Sequence, residues 1–186
     1  MDESIELIGG SLWVNLLNTK RMEDGELIDV LDDVNKMTGW LSFHKVELSS
    51  DLNKQGEDLK LLRGLLSELL KASNSSEEVL SQLNKFLHNT SIYLGLDVKG
   101  GKFIRCFKAV NPNNTGLIRI IEDFFNTIEV IDFNRVRQCA HEDCVLYFID
   151  SSKGGRRRWC SMETCGNKHK ASVHYKKLKA ENVLQG

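Results

Sequence analysis

No run of apolar residues in this sequence approaches the roughly 20 that a bilayer-spanning helix requires. The opening MDESIELIGG lacks both the basic cluster and the apolar stretch of a secretory signal, so the cytoplasm is the expected location and no membrane is expected among the partners. Neither a glycine-rich phosphate loop nor a nucleophile paired with a base is visible, which argues against an enzyme. There is no internal repeat, low-complexity segment or long linker, and the only proline, Pro112, marks a turn in NPNNTG. The C-x-x-C spacing of a redox pair is missing as well. Disulfides are rare in a reducing compartment, so the five cysteines require a different explanation.

Charge is divided along the chain. Residues 1–134 hold 14 basic and 21 acidic side chains, a balance of −7, whereas residues 135–186 hold 11 and 5, a balance of +6. An acidic body joined to a basic tail is the asymmetry expected when the small part meets a polyanion and the large part does not.

Hydrophobic periodicity makes the body mainly helical. Leu12, Trp13, Leu16 and Leu17 fit one helical face, and Leu27, Val30, Leu31, Val34, Met37 and Leu41 recur at three and four, predicting a second helix that ends near Phe43. A third is expected over residues 57–72 with a stripe of Leu59, Leu62, Leu66, Leu69 and Leu70. In SNSSEE, Ser75 or Ser76 can cap a helix reaching His88. The period then changes: Ile92, Leu94, Leu96 and Val98 alternate, and Gly100-Gly101 turn the chain back into a strand carrying Phe103 and Phe107. Thr115 opens a last body helix bearing Leu117, Ile121, Phe124, Phe125 and Ile128.

Four cysteines follow as two pairs, Cys139-x4-Cys144 and Cys160-x4-Cys165, with fifteen residues between them. Thiolates from two short loops converge on one tetrahedral zinc when the joining segment doubles back. Here Val145 to Ile149 has strand propensity, SSKGG is a turn, and Arg156 to Trp159 can return as a second strand. The second pair then opens a helix from Met162 to Lys179, giving a treble-clef-like module. Four thiolates on one Zn2+ leave a charge of −2 that a helix N-terminus and Arg156, Arg157 and Arg158 can balance. Structural zinc closes at four ligands, so no position is left for catalysis. The alternative is four reduced, buried thiols. The fold class expected is thus α+β: a mainly helical domain with a β-hairpin over residues 1–134, a small treble-clef-like zinc module over 135–180, and a tail over 181–186.

The stretches Cys139 to Cys144, Tyr147 to Asp150, Arg157 to Met162 and Cys165-Gly166-Asn167-Lys168 resemble the CGNR zinc finger, with Lys168 in place of its arginine. That exchange keeps a cation but loses the planar fork. Leu12 to Thr19 (LWVNLLNT), Gly39-Trp40-Leu41 and Leu61-Leu62-Arg63 make the body similar to the ABATE domain that precedes such fingers. The resemblance implies a bacterial transcription regulator whose finger binds double-stranded DNA and whose body senses a small-molecule effector or forms a homodimer. Asn18 and Thr19 follow the family's pattern, with capping or turn hydrogen bonding as the role such residue types take generally.

On the final helix, Met162, Cys165, His169 and Val173 share the side assigned to the metal, and Asn167, Lys170, His174 and Lys177 form a stripe suited to bases or phosphates. Lys168 lies nearly opposite that stripe. Arg156, Arg157 and Arg158 are expected to grip the backbone, and Ala171, Tyr175 and Leu178 to dock on the body or a partner. The tail has few aromatics on which single-stranded nucleic acid could stack. A solvated charged surface and an acidic protein partner are the competing readings of the same cations.

Overall fold

The fold is organised around the short helix α2, Leu12–Leu17, in which Trp13, Val14, Leu16 and Leu17 are all buried. The computed structural model describes residues 3–71 and 77–183. Helix α1, Glu3–Glu6, precedes α2, and the strands β1, Lys20–Glu23, and β2, Glu26–Asp29, follow it. Helices α3, Val34–Phe43, α4, Leu52–Lys71, and α5, Glu77–Asn89, lead to a hairpin of β3, Ile92–Lys99, and β4, Lys102–Ala109. Helix α6, Thr115–Val130, then closes over α2 and α4. Trp13 fixes the centre, edge-on to Phe124 at 5.2 Å and stacked on Phe133 at 6.3 Å. The start of α2 is capped from α6, because the Asp123 carboxylate accepts from the Trp13 N–H at 3.1 Å and from the Ser11 hydroxyl.

The expected helix from Leu27 to Phe43 is corrected. Leu27 belongs to β2, paired with Met22 of β1 across a turn in which Asp24 and Gly25 both have positive φ, the backbone of a two-residue hairpin. Helix α3 begins only at Val34, where Asp33 accepts the N–H groups of Asn35 and Lys36 at 2.8 and 3.0 Å. Helix α4 starts five residues before Glu57, since Asp51 accepts from the Lys54 N–H; its Leu59, Leu62 and Leu66 are buried as expected. Ser75 and Ser76 lie outside the described residues. The β3–β4 hairpin and α6 occupy their expected positions.

The last hairpin differs in pairing. Strand β6, Tyr147–Ile149, lies where strand propensity put it, but its antiparallel partner is β5, Val136–Gln138, and not residues 156–159. Strand β6 is occupied on both edges. Opposite β5, Asn18 of the body accepts from the Tyr147 N–H at 2.7 Å and donates to the Tyr147 carbonyl at 2.9 Å, while the Ile149 N–H reaches the Gly9 carbonyl at 3.1 Å. Gly9 is held by the Asn15 side chain, so close that a Cβ there would lie 2.5 Å from Asn15 Oδ1. Residues 156–159 pair with no strand and are tied at separate points, among them Arg157 N–H to Asp150 Oδ2 at 3.0 Å and Ala140 N–H to the Arg158 carbonyl at 2.9 Å. Val136 and Ile149 are members of the body's core cluster, with Tyr147 packed against it. Residues beyond the expected boundary at 134 thus pack into the body's core, beside a second cluster formed by Cys139, Leu146, Phe148 and Cys160.

Candidate metal centre

The β5–β6 hairpin carries the first cysteine pair in its loop. Cys139 is placed by its N–H bond to the Leu146 carbonyl at 2.8 Å, and Cys144 by its N–H bond to the His141 carbonyl at 3.0 Å. Of the second pair, Cys160 precedes and Cys165 lies within a π-helical turn, Met162–Gly166, capped by Ser161, whose hydroxyl accepts from the Thr164 N–H; helix α7, Asn167–Val183, continues from it. Cys139 and Cys160 are buried, Cys144 and Cys165 half-buried. All four Sγ atoms lie within 4.8 Å of one another. Cys160 Sγ is 3.7 Å from that of Cys144 and 3.6 Å from that of Cys165. A tetrahedron with metal–sulfur bonds of about 2.3 Å has edges of about 3.8 Å, so the thiols are spaced as ligands of one ion. His141 turns its Nδ1 to the Asp143 N–H at 3.2 Å and does not join them.

Electrostatics points the same way. The hydrogen bond from Cys160 pulls the Cys144 thiol down to about 5, while that same interaction, with burial, drives Cys160 far up, and burial raises Cys165 to about 11. One sulfur in the cluster ionises readily and then opposes ionisation of its neighbours. A bound cation removes that opposition, because coordinated thiols are deprotonated outright. The surrounding hydrophobic cluster of Leu146 and Phe148, with Ile8 and Trp159 at its margin, shields the sulfurs.

The basic residues divide into two sets. Arg157 is not a free phosphate grip: its guanidinium lies 4.4 Å from the Phe148 ring centroid and donates to the carbonyls of Trp159, at 2.9 Å, Ile149 and Cys160. It is tied into the backbone that presents Cys160. Arg156 and Arg158 are exposed, the latter 5.1 Å from the Trp159 ring. Asn167, Lys168, Lys170, His174 and Lys177 are exposed along α7, and Asn167 donates to the Glu163 carbonyl at 3.1 Å. Of the four residues expected on the metal side of the helix, Cys165 and His169 face inward, His169 lying 4.6 Å from Trp159. Met162 and Val173 are half exposed, and Tyr175 and Leu178 do not dock on the body but stay open to solvent.

The CGNR zinc finger model matches residues 135–177, and the model described as "Putative stress-induced transcription regulator", ABATE, matches residues 10–113, more than half of the chain. The chain belongs to the ABATE family. No curated protein matches it. Among the described residues of this ABATE chain, no helix is long and apolar enough to cross a membrane.

Three residues have contacts in the ABATE chain's finger that the sequence did not indicate: Asp150, Asn18 and Gly9. Asp150 is 2% exposed and accepts from the Ser152 N–H and hydroxyl and from the Arg157 N–H, so its pKa is lowered chiefly by the Ser152 hydroxyl. The spacing Asp150-x-Ser152 ahead of two glycines is a turn signal that could have found it. Asn18 and Gly9 sit far away in sequence, and no local pattern links them to Tyr147 and Ile149.

Proposed function

We propose that this protein is a DNA-binding transcription regulator whose C-terminal module is held by one structural zinc. Tetrahedral sulfur sites suit zinc, and four thiolates close its coordination sphere, leaving no catalytic position. The observation that carries the DNA reading is the display of cations around the metal centre. Arg156, Arg158, Lys168 and Lys170 are exposed on a scaffold fixed by the four cysteines, beside a body with net negative charge. Phosphates would be gripped by Arg156, Arg158 and Lys168, while Asn167, Lys170, His174 and Lys177 on α7 face the groove. An effector would enter the groove of about 360 Å³ between α4, the β1–β2 hairpin and the finger, lined by Leu17, Leu27, Arg63, Gln138 and Tyr147.

The exposed strip of Ala171, Tyr175 and Leu178 favours a second reading, a zinc-stabilised module that binds an acidic protein partner. Salt-titrated binding of the zinc-loaded chain to duplex DNA, to RNA and to an acidic protein separates the two. Replacing Arg156 should flatten the logarithmic salt slope by about one unit on every duplex. Asn167→Ala should cost on the order of 1–3 kcal/mol on a selected site and little on a scrambled one. Equal loss on both, or none on either, removes Asn167 from base reading, and preference for the acidic protein over duplex defeats the DNA reading itself.

A further inference from the structure

Three of the four clustered thiols face a common opening. A cavity of about 600 Å³ separates the finger from the start of the body, and Cys144, Cys160 and Cys165 line it. Cys139 does not reach it and is buried with Leu146 and Phe148. The body supplies an apolar wall of Ile5, Ile8 and Met22. Around the sulfurs, Asp143 and Glu163 offset Arg157 and Lys168, so the carboxylates and cations of the lining cancel. Such a cavity suits a small uncharged molecule with an apolar tail better than an ion.

The sulfurs on this cavity are placed as a reactive thiolate beside a second one. Coordinated thiols are deprotonated, and the thiolate is the nucleophilic form. Cys144 is half-buried, and its Sγ lies 3.7 Å from that of the buried Cys160, sixteen positions along the chain. A disulfide of about 2.0 Å needs a movement of only about 1.7 Å from that separation. The loop that carries Cys144 can supply it, because residues 139–146 contain no helix or strand and Glu142 and Asp143 are exposed. Cys165 is as close, with its Sγ 3.6 Å from that of Cys160. It sits, however, inside the capped π-helical turn, where the Gly166 N–H donates to the Ser161 carbonyl at 3.0 Å, so the same movement there works against a hydrogen-bonded turn.

We propose that Cys144 and Cys160 are a hydroperoxide-reactive pair whose oxidation opens the metal centre. The Cys144 thiolate attacks the terminal oxygen of an uncharged organic hydroperoxide; the O–O bond breaks, and with one proton taken up the products are a Cys144 sulfenic acid and an alcohol. The Cys160 thiolate then attacks the Cys144 sulfur, the S–O bond breaks, and a second proton carries the hydroxide away as water. The two thiolates lose two electrons in all, and the hydroperoxide gains them. Cys139 and Cys165 are then the only ligands left, two short of the set that closes a structural zinc site. Release of zinc rests on the zinc reading above, whereas the choice of sulfurs rests on the cavity, the distances and the loop.

Treatment of the zinc-loaded full chain with cumene hydroperoxide tests it, with Cys106→Ser in place to remove the remaining thiol. Zinc release is followed with a chelating dye, and the disulfide is located by mass spectrometry of peptides. The expected result is loss of the zinc together with a Cys144–Cys160 linkage, both reversed by dithiothreitol and added zinc. Cys144→His keeps four ligands for the metal but removes the attacking sulfur, and should slow release at least about tenfold. Peptide mapping of the chain that retains Cys144 keeps the test decisive if that variant fails to fold. Zinc measured before the oxidant is added tests the metal reading by itself, and a chain purified without chelator that holds none defeats that reading. A zinc-loaded chain that keeps its metal under the oxidant, or whose linkage maps to Cys160–Cys165 or to any other pair, overturns the inference, as does unchanged release from Cys144→His.

Discussion

Arginines 156, 157 and 158 are indistinguishable as letters, yet the fold gives the middle one a different task. The outer two face solvent, while Arg157 donates to three backbone carbonyls around the second cysteine pair. Charge-assisted bonds of this kind are worth about 1.5–3 kcal/mol each when broken, so Arg157→Ala should destabilise the zinc-loaded finger by about 2 kcal/mol or more. Arg156→Ala should be near neutral; thermal unfolding followed by Trp159 fluorescence distinguishes them. The cysteines were legible because ligation depends on residue type and spacing, both written in the chain. Arg157's direction was not, because it depends on where Phe148 and the carbonyls of residues 149, 159 and 160 come to lie.

At the scale of elements, periodicity succeeded where one helix buries one stripe, as in α4 and α6. It failed at Leu27, whose spacing to Val30 and Leu31 mimics a helix while Asp24-Gly25 makes a hairpin. The end of that hairpin is fastened to α4 by an ion pair: Arg63 binds Asp29 and, at 2.7 Å, the Thr19 hydroxyl. Burial raises the Asp29 pKa, but the Arg63 hydrogen bond and the Leu31 N–H outweigh it, and the net shift is downward. A depressed carboxylate contributes stability that is complete above its unfolded value of about 3.9 and is lost as pH falls through the lower folded value. Asp29→Asn should therefore cost about 3 kcal/mol at neutral pH, where it strands a buried guanidinium, and progressively less in acid. Urea midpoints of both proteins at neutral and acidic pH measure this; a pH-independent difference would contradict it.

For the whole molecule, the charge division was readable, but the packing that crosses from body to finger was not. A boundary at residue 134 follows from composition, whereas Val136 and Ile149 contribute to the body's core and Asn18 reaches Tyr147 across 129 positions. Such a distant contact leaves no periodic trace. The full zinc-loaded chain should accordingly unfold in one transition that chelation lowers, because metal-binding free energy is shared with the packed unit. A fragment of residues 1–134 should melt below the intact protein and bind no duplex; two independent transitions in the intact chain would disprove the shared core. The Asn18 clamp also bears on what can be transplanted. A graft of residues 135–177 onto a foreign host would bring every metal ligand but abandon the amide and the Gly9 carbonyl that complete the outer edge of β6. The smallest portable form of the metal-binding module is therefore discontinuous, consisting of residues 135–177 together with the turn and helix spanning residues 9–18.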